Sequence, residues 1–247
     1  MEDTAATRTD LKNLLRAVNT VLFDFDGPVC DLFAGISTAR VAERIKSYTR
    51  RHWGPLDPEV SACDDSHGIL RPLRNMYEQK EPKPNNRRPL RKAERIVTRR
   101  EAKAARTARP TPGIFELVDN LHTLDKQLIV VSNNAEAPIR AYLERHGRYD
   151  KFEKVCGRDP ADARRMKPHP DCVRRALDHL GLSRDSAPTC LLVGDQLTDL
   201  RAAKAAGTRF LGFTADVSRE RAMRREGADA VVGSHARLLA AVGGLSS

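Results

Sequence analysis

Three apolar runs in this 247-residue chain end in oxygen-bearing side chains. Residues 20–25 lead into Phe23-Asp24-Phe25-Asp26-Gly27, residues 127–131 into Ser132-Asn133-Asn134, and residues 189–193 into Gly194-Asp195. If these runs are neighbouring parallel strands, their polar ends meet at the carboxyl edge of one sheet, where open α/β sheets bind ligands. Asp24, Asp26 and Asp195 would then supply hard oxygen ligands at close range. Crowded carboxylates repel one another unless a cation lies between them, and Mg²⁺ suits an all-oxygen set that leaves positions for water and substrate. Gly27 permits close backbone approach. Ser132 and the amide beside it, near the start of a helix, suit a phosphoryl oxygen. Lys167, held in Met166-Lys167-Pro168-His169-Pro170, adds one cation on a loop stiffened by prolines. A nucleophilic carboxylate among these groups points to phosphoryl transfer onto an Asp oxygen. Asp26, two residues beyond Asp24, lies on the same side of an extended chain and is the candidate general acid.

Each piece has a plainer meaning. Asp-x-Asp after a strand is commonly a turn or cap, Ser-Asn-Asn a helix start, and a lone Lys in a proline loop solvated surface. Their joint occurrence in this order, three of them at strand ends, decides for a shared site.

The elements that must position these groups are legible as alternating strands and helices. Strands are expected over 20–25, 127–132, 152–156, 189–193, 209–212 and 228–232. Helices are expected over 11–18, 112–124, 135–146, 170–180, 197–206 and 219–226. That alternation predicts an α/β fold, a doubly wound Rossmann-like parallel sheet with right-handed crossovers. Only one strand precedes a long helical stretch, so residues 31–110 read as an insert, with helices over 31–52, 69–79 and 90–108. Residues 1–30 and 111–247 read as the core domain. Trp53, the only tryptophan, is expected to pack between helices of the insert.

Composition fits a soluble globular protein, with 40% hydrophobic and 31% charged residues. No apolar run reaches the roughly 18 residues of a membrane helix. Five cysteines without a Cys-x-x-Cys pair suit reduced thiols in the cytoplasm. Between Arg71 and Arg109 stand fourteen Lys and Arg against four Glu, which accounts for the whole net charge of +10.

In these motifs the chain resembles the haloacid dehalogenase superfamily of aspartate-nucleophile phosphatases. Asp24-Phe25-Asp26-Gly27-Pro28-Val29 is similar to its first motif, Ser132 to the second, Lys167 to the third, and Gly194-Asp195-Gln196-Leu197-Thr198-Asp199 to the fourth. The insert resembles the helical cap of phosphoglycolate phosphatases and β-phosphoglucomutases. The resemblance implies that Asp24 attacks phosphorus and ligates Mg²⁺. It implies that Asp26 protonates the leaving alcohol, then deprotonates water, and offers its backbone carbonyl to the metal. Ser132, the Asn133 amide and Lys167 would hold the phosphoryl group. Asp195 would ligate the metal, and Asp199 would orient a metal-bound water or support Lys167. Asp26 argues against dehalogenase activity, since family dehalogenases typically lack this second Asp. Pro28 departs from the Thr or Val of many members and removes a backbone donor.

The expected activity is hydrolysis of a small phosphomonoester such as a phosphoglycolate-like acid, a sugar phosphate or a nucleotide. The alternatives are a phosphomutase of the β-phosphoglucomutase type and a non-catalytic polyanion-binding protein. In the insert, His67 and Arg71 are candidates for substrate contact, although both read more simply as surface residues at a helix start. The basic run reads as a solvated helix face in preference to a nucleic-acid site, because Tyr77 is its only aromatic residue.

Overall fold

The computed structural model describes residues 3–33 and 38–245. After helix α1 (Asp3–Arg16), strand β1 (Thr20–Phe23) enters the middle of a sheet completed by β4 (Gln127–Val131), β5 (Lys154–Cys156), β6 (Cys190–Gly194), β7 (Arg209–Phe213) and β8 (Ala230–Val232). The strand order is β5-β4-β1-β6-β7-β8, and every pairing is parallel. From β1 the chain steps outward through β4 and β5. It then crosses back to lay β6 on the other flank of β1, so the order reverses at β1.

Alternation along the strands sorts the core onto two faces. Val21 and Phe23 join Val130, Val193 and Leu211 on one face, under α1, α6 (Ile114–Thr123), α7 (Glu136–Arg145) and α11 (His235–Val242). Leu22 joins Ile129, Val131, Leu192 and Phe210 on the other, under α8 (Asp171–His179), α9 (Leu197–Ala206) and α10 (Val217–Arg225). Burial on both faces explains why β1 reads as an unbroken apolar run. Among the described residues no helix is long and apolar enough to cross a membrane.

Between β1 and β4 lie α2 (Ala39–Trp53), α3 (Pro58–Ala62), α4 (Leu70–Gln79) and α5 (Arg88–Ala105). They enclose an apolar cluster of their own that includes Ile45, Trp53, Leu73, Met76 and Val97. Trp53 is buried as expected, and its Nε1 donates to the Asn86 carbonyl at 3.1 Å. The chain enters and leaves this helical region through a two-stranded antiparallel ribbon, β2 (Cys30–Asp31) against β3 (Arg109–Pro110). Of the helix expected over 31–52, Asp31 belongs to the ribbon, residues 34–37 lie outside the described residues and the helix itself begins at Ala39; the helix expected over 90–108 runs from Arg88 to Ala105, just before the ribbon's second strand. Helix α3 and helix α11 were not anticipated.

Helix α5 is fastened to the sheet layer by buried charge. Arg158, in the loop after β5, donates to Glu101 at 2.7 Å, to Glu94 at 2.7 Å and to the Asn133 carbonyl at 2.7 Å. The Arg158 and Glu101 side chains are both fully enclosed. Burial by itself would raise the Glu101 carboxyl, but the His67 hydrogen bond and the Arg158 charge outweigh it and bring the group down from 4.5 to about 2.

A depressed carboxyl stabilises the fold fully above its unfolded value and loses that contribution as pH falls towards the folded one. Arg158→Met leaves Glu101 buried without its guanidinium, which should destabilise the protein by about 3–5 kcal/mol at neutral pH. Denaturant titrations of both proteins should show this gap narrowing as pH falls from about 4.5 towards about 2, where the wild-type Glu101 takes up a proton and loses its contribution. Equal stability at neutral pH would show that the buried pair does not hold α5 in place.

Candidate active site

The reversal of strand order at β1 leaves a crevice at the carboxyl ends of β1, β4 and β6. It opens into a cleft of about 740 Å³ lined by Asp24, Asp26, Gly27, Ser132, Asn133, Lys167, Asp195 and Asp199. Three chain segments that are remote in sequence therefore converge, and the loop bearing Lys167 closes the crevice from the side.

Lys167 is the centre of the arrangement. Its Nζ lies 2.9 Å from Asp24 Oδ1, 2.6 Å from Asp199 Oδ1 and 3.3 Å from the Val131 carbonyl. Burial would lower an ammonium pKa, but Asp199 and Asp24 override it and hold Lys167 above the usual lysine range. The Asn133 side chain fixes the Lys167 backbone, accepting from its N–H at 2.7 Å and donating to its carbonyl at 3.3 Å.

Asp24 Oδ1 also accepts from the Phe25 N–H at 2.7 Å, so two donors occupy that oxygen, while Oδ2 has no hydrogen-bond partner among the described residues. Burial pushes the Asp24 carboxyl up to about 7, Lys167 opposes this, and Asp199 and Asp195 add to it. Asp195 is raised to about 6, by burial first and by Asp199 second. Asp26 is also raised, chiefly by burial, although its Oδ1 accepts from the Leu32 N–H at 2.9 Å.

Asp24, Asp195 and Asp199 each offer a ligand oxygen within 4.8 Å of the others. The Asp26 carboxylate is not in that trio. Within it Asp199 is heavily used: besides Lys167 it accepts from the Gln196 N–H at 2.9 Å, closing a capping box at the start of α9. Two glycines make the crowding possible. A Cβ on Gly27, which sits at φ +104°, would lie 2.8 Å from Asp195 Cγ, and one on Gly194 would lie 2.5 Å from Asp199 Cβ. All-oxygen donors, buried and mutually repelling, fit a hard divalent cation.

Ser132 is buried, with its hydroxyl donating to Asn134 Oδ1 at 3.0 Å and accepting from the Asn134 N–H at 3.2 Å. The Asn133 backbone N–H has no hydrogen-bond partner among the described residues.

The two candidates from the helical region separate. His67 is no surface residue: its ring lines the cleft, Nε2 lies 2.6 Å from Glu101 Oε1 and 3.1 Å from Asn134 Nδ2, and Phe33 packs edge-on against it. Arg71 does not reach the cleft. It donates to the carbonyls of Met166 at 2.5 Å and Arg164 at 3.3 Å, tying α4 to the loop that carries Lys167.

Sequence reasoning missed Glu101, Asn134 and His235. Glu101 accepts from His67, Arg158, Asn134 Nδ2 and the Ala135 N–H. Its signal was available, since Glu94 and Glu101 stand seven residues apart on one side of an otherwise basic helix. His235 is buried at the start of α11 with Nε2 2.7 Å from the Pro28 carbonyl, so it braces the loop that follows Asp26.

A sequence profile described as haloacid dehalogenase-like hydrolase matches residues 21–213. A phosphoglycolate phosphatase of Rhodospirillum rubrum is 39% identical over 109 residues, 44% of this chain and 43% of that protein. One of Salmonella paratyphi A is 30% identical over 132 residues, 53% of this chain and 50% of that one. The chain thus aligns with half or less of the length of these relatives. Among solved structures, CbbY from Rhodobacter sphaeroides in complex with phosphate superposes with a TM-score of 0.59 at 23% identity, covering 92% of this chain and 99% of that one. A predicted phosphatase from Clostridium acetobutylicum gives 0.60 at 18% identity, over 90% and 96%. Both share the fold. With the profile spanning more than half of its length, the chain belongs to the haloacid dehalogenase-like hydrolase family.

Proposed function

We propose that the protein is a Mg²⁺-dependent phosphomonoester hydrolase that works through a phosphoryl group carried on Asp24. The observation that carries this reading is the buried carboxylate set around Lys167, with one Asp24 oxygen free to react. Asp24 and Asp195, with the Asp26 backbone carbonyl, are the residues to hold the cation. When bound, it would neutralise the carboxylates and draw charge from the phosphoryl oxygens.

Asp24 Oδ2 attacks phosphorus and the bond to the leaving oxygen breaks. Oδ1 stays fixed by Lys167 and the Phe25 N–H. Asp26, whose burial favours the protonated form, gives its proton to the departing alkoxide. The resulting Asp26 carboxylate then takes a proton from water. The hydroxide attacks phosphorus, releasing inorganic phosphate and restoring the Asp24 carboxylate. The Asn133 N–H and the Lys167 ammonium hold the phosphoryl oxygens, and Ser132 joins them if its hydroxyl turns from Asn134. Asp199 keeps Lys167 oriented.

On this reading residues 31–110 are a cap over the core formed by 1–30 and 111–247, and the cap contributes His67 to the substrate. The relatives' names favour phosphoglycolate or a similar small acid as substrate. On the cap side the cleft is lined by Asp31, Phe33, Asp65 and His67, so His67 is the group there able to meet a substrate carboxylate.

Asp24→Asn should lower turnover roughly a thousandfold or more with the melting temperature retained, because it removes the nucleophile at nearly constant volume. A phosphomonoester panel, assayed with Mg²⁺ and with EDTA, checks both activity and metal dependence. Turnover in EDTA, or an isomeric sugar phosphate in place of free phosphate, would overturn the hydrolase reading.

His67→Asn should raise KM for phosphoglycolate by about tenfold while p-nitrophenyl phosphate, which has no carboxylate, is affected far less. An equal effect on both substrates would assign His67 to holding the loop after β4 and not to the leaving group.

A further inference from the structure

Helix α5 presents three different faces. Ala93, Val97 and Ala104 are buried, and Glu94 and Glu101 turn to Arg158. Arg88, Arg91, Lys92, Arg95 and Arg99 share the remaining face, within an arc of about 100° at 3.6 residues per turn. They span about 16 Å along the axis. Exposed Arg44 of α2 joins them, lining a narrow cleft of about 110 Å³ together with Lys92, Arg95, Ile96 and Arg99. Arg95 also lines two wider clefts of about 640 Å³ each, one running to Arg88 and Arg91 and the other to Arg99 and Pro160. The three clefts adjoin at Arg95, which lines each of them, and are treated together as one groove along α5.

Five guanidinium groups of this groove lack counter-charges, while Arg158, Arg165 and Arg175 at its Pro160 end are paired. Arg44, Arg88, Arg91, Arg95 and Arg99 are exposed, and among the described residues none lies within ion-pair distance of a carboxylate. The acids that line the groove or lie beside it are paired with other cations: Glu94 with Arg158, Asp159 with Arg165, Asp171 and Glu136 with Arg175, and Glu43 with Arg50. The groove offers a ligand little aromatic surface. Its one aromatic ring, Tyr48, is stacked on His52 and approached by Lys92 at 5.6 Å. The exposed large hydrophobic side chain among the described residues is Val217, on α10 and outside this groove.

We propose that this groove binds the phosphate backbone of double-stranded nucleic acid without reading sequence. A regular row of unpaired guanidinium groups fits a regular row of phosphates and gains by releasing their counterions. The lack of a free aromatic face speaks against stacking on unpaired bases, and the lack of an exposed large apolar side chain against insertion into a lipid surface. What favours this over the plainer reading of a solvated face is that residues of α2 and α5 line one cleft and that five of the groove's cations are unpaired among the described residues. This inference does not depend on the phosphatase reading, since the groove and the catalytic cleft share no lining residue.

The test uses the full chain and a fluorescein-labelled DNA duplex of about 20 base pairs, with anisotropy followed from about 50 to 200 mM salt. Wild type should bind with a log–log salt slope of about −4 to −5, one phosphate for each guanidinium. The variant Arg44→Gln/Arg91→Gln/Arg95→Gln/Arg99→Gln should lose affinity at least about tenfold at the lowest salt and flatten to a slope near about −1. Its melting temperature and its turnover of p-nitrophenyl phosphate should stay at the wild-type level. Arg16→Gln/Arg184→Gln/Arg221→Gln/Arg237→Gln changes the net charge equally and should bind as wild type does. If the first variant fails to fold, Arg95→Gln alone should reduce the slope by about one. No binding by wild type, or equal loss in the two charge-matched variants, would overturn the proposal. Binding to phosphatidylserine vesicles but not to the duplex would replace it with a membrane-surface role.

Discussion

A lysine ammonium with 1% of its side chain exposed has to be surrounded by compensating groups, and Lys167 sets the terms for everything near it. An ion taken out of water loses several kcal/mol of solvation, which returns only with good geometry to opposite charge. Asp24 from the end of β1, Asp199 from α9 and the Val131 carbonyl from β4 supply that geometry together. The fold can satisfy Lys167 only when three strands are in register and the loop before α8 is closed. The same requirement leaves more carboxylate than cation at the cleft, because Asp24, Asp26, Asp195 and Asp199 line it with Lys167, and Asp195, pressed against Gly27, meets only the half-exposed Arg219 at 3.4 Å. A site with surplus buried negative charge suits a hard cation.

Around that centre, charge fastens the helical layer as apolar contact fastens the sheet. Glu101 receives donors from His67, from Arg158 and from the backbone following β4, so one carboxylate joins α5, the segment before α4 and the loop after β4. Helix α5 is thus divided by function around its circumference: apolar inside, acidic towards the sheet layer and basic outside. That division explains how a helix with so few apolar residues is stable, since its acidic stripe is used in burial and is not merely solvated.

The sheet was legible because parallel strands covered on both faces are continuous apolar runs, and the polar residues at their ends marked the site directly. Asp24, Asp26, Ser132, Asn133, Lys167, Asp195 and Asp199 all meet at the cleft where they were expected. What escaped notice depended on contacts between distant segments. Arg158 carries no local sign that it will be buried, and Glu101 lay within a basic run whose periodicity suggested water on most sides. His67 looked exposed because the segment before α4 is polar, yet Glu101 and Asn134 cover it from other elements. Arg71 shared the same local pattern and turned to backbone carbonyls instead. The β2–β3 ribbon has two residues in each strand, too few to leave a period-two signal, and α11 follows the last expected strand without a marked change of composition.

The ribbon has a consequence for how such a chain can change over time. Both passages between the sheet and the helical layer run through Cys30–Asp31 and Arg109–Pro110, paired side by side. The excursion therefore begins and ends at one point, and its ends are held together whatever lies between them. Lengthening or shortening the intervening helices alters a closed detour and leaves the strand register untouched, at a loop-closure penalty that grows only slowly with length. The sheet and the cleft at its edge can then keep their wiring while the helical excursion is exchanged, as a lens is exchanged on a fixed mount.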